Sequence, residues 1–248
     1  MRHPILLSLC LTGFVGLSAC EKNDDETVER AIQDVNVVDE TNLNDVMLTV
    51  ADPNEAVTYF ARASKAKPDR IDLQRGLAAS LVRAKRNTEG VTAWTKVTKM
   101  EGAEPQDSVN LADALIRSGE WTKAEQTLDT IPPTFETFER YRLEAMVADA
   151  GEEWSKADTF YETAVGLTTR PASVMNNWGY SKLTRGDYAE AERLFSEAIR
   201  QDNSLFTAKN NLVLARGAQR EYSLPVIPMD QTERAQLLHT LALSAIKQ

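Results

Sequence analysis

The chain has 248 residues, of which 28 are basic and 37 acidic, for a net charge of −9. That balance speaks against nucleic acid as a partner, because such binding rests on neutralising phosphates with Lys and Arg. Both cysteines, Cys10 and Cys20, fall at the start of the chain. A cysteine-based zinc site or disulfide in the body of the protein is thereby excluded, and a packed core must hold the fold.

Met1 to Pro4 form a short basic start, and Ile5 to Leu17 is an apolar run of 13 residues. That run is too short to cross a hydrocarbon layer of roughly 30 Å as a helix, but it has the length of a signal-peptide core. It ends in Leu17-Ser18-Ala19-Cys20, which resembles the bacterial lipobox. The resemblance implies that residues 1–19 are a lipoprotein signal peptide, and that Cys20 is lipidated and becomes the new N-terminus. Two or more acyl chains anchor a protein stably. Glu21, in place of an aspartate, points by the same analogy to the outer membrane, with the protein facing the periplasm. Residues 20–36 are rich in Glu, Asp and Asn and poor in apolar side chains, so they are expected to form a flexible acidic tether.

From residue 37 the chain is periodic. A small residue, a bulky one four later and an apolar one three after that recur as Ala56/Phe60/Ala63, Gly90/Trp94/Val97, Ala124/Leu128/Ile131, Ala157/Tyr161/Ala164 and Ala191/Phe195/Ala198. The steps between sets are 34, 34, 33 and 34 residues. Spacings of four and three place each trio on one helical face. A second series runs Leu43, Leu77, Leu111, Leu143, Trp178 and Leu212. Between the two series stand turn signals, including Gly119-Glu120-Trp121, Gly151-Glu152-Glu153-Trp154 and Gly186-Asp187-Tyr188. Each unit thus reads as helix A, a glycine-ended turn and helix B.

A 34-residue period with these residues resembles the tetratricopeptide repeat. The implied fold is all-α, a right-handed solenoid of helix-turn-helix repeats. About six repeats fill residues 37–220, and the sixth is degenerate: Pro225 and Pro228 forbid a regular helix B. Residues 221–248 are expected to hold this proline-containing segment, which packs into the groove or contacts a partner. A helix follows, opened by a capping box at Asp230 and Glu233. That last helix reads as a further helix A without its helix B, either a capping helix or a cut-off repeat.

The resemblance places a concave groove along the A helices. The candidate peptide-binding residues are Arg75, Ala79, Arg83, Asp113, Arg117, Tyr141, Ala145, Asp149, Asn176, Tyr180, Thr184, Asn210 and Leu214. Tyrosine offers rigid apolar area with one polar handle, and asparagine bonds both the donor and the acceptor of a backbone. Trp94, Trp121, Trp154 and Trp178 fall on repeat core positions and are read as packing residues. No catalytic residue, metal or cofactor is expected. Downstream of Cys20 the single histidine is His239, and neither GxxxxGK[ST] nor GxGxxG occurs.

Three strings narrow the resemblance: Ala51 to Val57, Arg70 to Ala78, and Leu224 to Met229 followed by Thr232 to Leu238. They resemble the tetratricopeptide lipoprotein of the tight-adherence (Tad, or Flp pilus) secretion system. This implies a non-catalytic scaffold at the outer membrane, assisting a secretin or another pilus-assembly component. The other readings are a factor for outer-membrane protein insertion, a pilotin of another pilus type, and an adaptor regulating a periplasmic hydrolase or protease.

Overall fold

Ala, Leu, Glu, Lys and Arg, all good helix formers, recur along this chain, and with almost no β-branched runs they leave the backbone one economical choice. The computed structural model describes residues 43–246, and among these there are twelve helices and no strand. The calls on residues 1–36, including Cys20 and its lipid, lie outside the described residues. Two units are distinct, one ending at Asp52 and one beginning at Pro53. In the first, only α1 (43–49) and the turn after it are described.

The second unit alternates two kinds of helix. The A helices are α3 (Ile71–Arg83), α5 (Pro105–Arg117), α7 (Phe138–Ala150), α9 (Ala172–Thr184) and α11 (Phe206–Ala218), all 13 residues long. The B helices are α2 (Pro53–Ala66), α4 (Asn87–Val97), α6 (Trp121–Asp129), α8 (Trp154–Gly166) and α10 (Tyr188–Gln201). Each helix packs on its chain neighbours, and α5, α7, α9 and α11 also touch in sequence order. This is a row of hairpins with the A helices in one layer. The trios read from the sequence form the seam: Ala56, Phe60, Val97, Ala124, Ala157, Ala164, Ala191, Phe195 and Ala198 have no exposed surface. Small residues let the partners close in. A Cβ on Gly179 would lie 2.7 Å from the Phe195 ring, so a side chain there must expel the ring or part the helices.

One unit departs from the expected register. The second residue after each A helix turns left-handed, at Lys85, Gly119, Glu152, Gly186 and Arg220. Gly119 and Gly186 suit that conformation, but in the fourth unit it falls on Glu152 (φ 60°) while Gly151 has φ −86°. The cause is upstream. The α6–α7 connection, through Pro132 and Pro133, is one residue shorter than its equivalents, so α7 starts 33 residues after α5 rather than 34. Aligning the unit on Gly151 therefore shifts its helix A by one residue. Glu144, not Leu143, stands in line with Leu77, Leu111, Trp178 and Leu212.

The C-terminal region also corrects an expectation. Residues 221–230 are non-helical. They pack neither into a groove nor away from the molecule: Leu224, Ile227 and Met229 bury against Val213, Leu237 and Leu241 between α11 and α12 (Gln231–Ile246). The capping box forms, with Glu233 N donating to Asp230 Oδ1 at 2.8 Å and Asp230 N to Glu233 Oε2 at 3.1 Å. Helix α12 is not a helix A awaiting a partner. It covers the α11 face that the upstream A helices turn to their own helix B. Lys209 binds Glu233, Asn210 meets Thr240, and Gly217 lies against Ser244. These contacts run in the same order along both helices, so α12 is parallel to α11, whereas every helix B is antiparallel to its helix A. The extended prolines carry the chain back along α11 and make this reversal possible.

Candidate functional site

The A-helix layer holds a cavity of ≈ 450 Å³, the size of a small-ligand pocket or of two or three side chains. Its walls come from α7, α9 and α11, closed at the side by the first residues of α6 and α8. Asn176, Asn177, Asn211 and Thr184 supply amides and a hydroxyl, and Trp121, Trp154 and Tyr180 supply aromatic surface. Tyr180 is 53% exposed and Trp121 38%, so both rings are open to a partner.

Asp149 lies in this cavity. It accepts a hydrogen bond from the Tyr161 hydroxyl at 2.9 Å on Oδ2 and from Ser181 Oγ at 2.7 Å on Oδ1. Among the described residues no Lys, Arg or His forms an ion pair with it. Burial pushes its carboxyl above the ordinary range, and the two hydroxyl donors pull it only partly back. Tyr161, 1% exposed, has its phenol pushed well up, first by burial and then by the neighbouring Asp149. It therefore stays protonated and keeps donating.

The floor beneath is rigid. Tyr161 stacks on Trp178 with ring centroids 6.2 Å apart. Trp178 Nε1 donates to Asp158 Oδ1 at 2.6 Å, and Asp158 also accepts from Arg185 at 2.6 Å and Lys182 at 3.0 Å. Burial alone would raise this second carboxyl, but its three donors outweigh that and hold it below the ordinary range. Arg185 lies 5.7 Å from the Trp154 ring centroid, placing its guanidinium over that indole. The wall is further tied together by Asn211 Nδ2 donating to Asn176 Oδ1 at 3.1 Å.

Of the residues singled out from the sequence, Asp149, Asn176, Tyr180 and Thr184 share this cavity. The others do not join them. Arg75 binds Asp107 through two hydrogen bonds of 2.8 and 2.7 Å and also donates to the Gly102 carbonyl, which ties α3 to the start of α5. Arg83, half-buried, lies at the end of α3. Asp113 pairs with Arg117 at 2.6 Å and Arg142 at 3.7 Å. Asn210 turns to α12, accepting from Thr240 Oγ1 at 2.8 Å. Ala145 is fully buried. Tyr141 packs on Phe160 in a separate cleft between α6, α7 and α8.

The misplacement of Tyr141 and Ala145 has the physical cause given above. With the register corrected, Met146 and Ala150 take the groove positions of α7, and both line the cavity. Trp121 and Trp154 were read as packing residues, yet they form its rim. Each is the first residue of a helix B, where the hairpin turn presents it to the A layer. Two bulky aromatics directly after a turn, rather than inside a helix, were the available signal.

No family model and no curated relative matches this sequence. Solved structures do. The APC/C Cut9–Hcn1 hetero-tetramer matches with a TM-score of 0.63 at 15% identity, over 79% of this chain and 38% of that one. Yeast Tom70 matches with a TM-score of 0.56 at 16% identity, over 83% and 46%. MamA of Desulfovibrio magneticus RS-1 matches with a TM-score of 0.53 at 17% identity, over 66% and 94%. The chain thus spans well under half the length of the Cut9 and Tom70 chains it resembles. These likenesses show the fold: an all-helical tetratricopeptide solenoid.

Proposed function

We propose that this protein is a non-catalytic adaptor that holds an extended segment of another protein in the cavity over α7, α9 and α11. The observation that carries this reading is the composition of the cavity wall. Exposed aromatic rings stand beside side-chain amides on rigid, hydrogen-bonded helices. Rings give area at little entropic cost, and amides pair with peptide N–H and C=O groups. The lipobox at Cys20 and the acidic tether deliver the solenoid to the periplasmic face of the outer membrane. The strings shared with the tight-adherence lipoproteins make a secretin, or another component of Flp pilus assembly, the partner of choice.

The test is crosslinking and affinity capture from envelope membranes, comparing wild type with Cys20→Ser and with Tyr180→Ala. Recovery of a secretin with wild type, reduced by either substitution, is the expected result. Recovery of the barrel-insertion machinery or of a cell-wall hydrolase as the dominant partner overturns the pilus assignment. Capture indifferent to Tyr180→Ala overturns the placement of the partner in the cavity.

A further inference from the structure

Asp149 has an unusual setting for a charged group. A carboxylate taken out of water is costly unless it is paired, and buried charges are as a rule matched by an opposite one. Asp149 has two hydroxyl donors and no cation of its own among the described residues. An ionised carboxylate offers about four acceptor positions, so two stay open on the cavity side.

The charges on the surrounding elements do not fill this gap. From α8 come Tyr161, which is neutral, and Asp158, which repels. Just beyond α9 stands Arg185, whose guanidinium binds Asp158 at 2.6 Å. On α7 itself Arg142 pairs with Asp113. Trp121, Trp154 and Tyr180 then present the aromatic faces with which a cation interacts favourably.

We infer that Asp149 is the specificity point of the groove, receiving a lysine or arginine side chain of the bound segment between the rings of Trp121, Trp154 and Tyr180. This rests on the adaptor reading above and adds to it the chemistry of the partner: an extended segment with a basic residue at one fixed position. The net charge of −9 favours the approach of such a segment. Ser181 and Tyr161 hold the carboxylate in place, so the incoming cation meets a preorganised acceptor. Since Lys and Arg stay charged across the pH range in which a carboxyl titrates, the preference fades as Asp149 is protonated.

The test uses the full chain in detergent and a decapeptide library with randomised flanks and a central residue fixed as Arg, Lys, Gln or Glu. Wild type is expected to retain the Arg and Lys pools about tenfold over the other two, a difference of about 1.4 kcal/mol, and to lose this preference as the pH is lowered. Asp149→Asn is expected to retain all four pools alike at every pH, with an unchanged helical spectrum. Equal capture of the four pools by wild type, abolished by Tyr180→Ala, leaves the adaptor reading standing and overturns the cation subsite. Capture of no pool overturns both. If Asp149→Asn fails to fold, the wild-type pH series decides alone: a basic preference unchanged by acid overturns the inference.

Discussion

Two stretches of the same helical layer are used in opposite ways. On α3 and α5 the groove-facing positions carry arginines and an aspartate. Arg75 is bound to Asp107, and Asp113 to Arg117 and Arg142. On α7, α9 and α11 comparable positions carry Met146, Asn176, Tyr180 and Thr184, which open on a cavity. The repeat fixes where a side chain stands but not what it is free to do. Where charges satisfy one another, little remains for a partner. Two aspartates nine residues apart repeat the lesson at close range. Asp158, ringed by Trp178, Lys182 and Arg185, is a structural clamp. Asp149, held only by hydroxyls, is left with acceptor capacity to spare.

Four substitutions test this contrast. The strongest effect is expected from Phe195→Ala, which empties the seam between α9 and α10 and costs about 3–5 kcal/mol in denaturant unfolding. The cavity wall on α9 is then lost, and peptide capture with it. Asp158→Asn comes next. It leaves Lys182 and Arg185, with side chains 13% and 12% exposed, without a charged partner, at a cost of about 1.5–3 kcal/mol. Because the folded-state value of Asp158 is depressed, its contribution is present above the unfolded-state value and lost as the pH falls through the folded one. Wild-type melting should converge on the variant's in acid.

Asp149→Asn should show the opposite sign. Its carboxyl is raised in the folded state, so the native protein holds the proton longer than the unfolded chain, and wild-type stability declines as the pH rises through that range. The variant lacks this decline and gains on wild type with rising pH in a melting series. The smallest effect is expected for Arg117→Ala, which breaks an exposed pair with Asp113 and should change unfolding by about 0.5 kcal/mol or less. Peptide capture should be unaffected. A loss of capture there would show that the groove extends onto α5.

The hairpin architecture was legible because burial repeats with the chain. Ala56, Ala124, Ala157 and Ala191 recur where two helices must touch, and a spacing of four and three says which face they share. The site was legible only in part. Asn176, Tyr180 and Thr184 follow from the period, but Tyr141 does not, because one residue missing before α7 is hidden by a glycine one place early. Trp121 and Trp154 look like core residues by type, and only the turn geometry turns them to the rim. The partners of Asp149 come from α8 and α9, 12 and 32 residues away, a coincidence no local pattern contains. The direction of α12 was likewise invisible, since the prolines announce a break in the helix and not the path taken across it.

That direction bears on how the molecule opens. In a row of hairpins an inner helix is clasped from both sides, so exposing its amides requires breaking two interfaces. Helix α12 packs chiefly on α11 and on the strap that leads into it. A single detachment releases it, uncovers Val213 and leaves every hairpin intact. Hydrogen exchange should accordingly be graded, fastest in α12 and slower towards α9 and α10. The reversed helix is then the least protected cooperative unit of the solenoid.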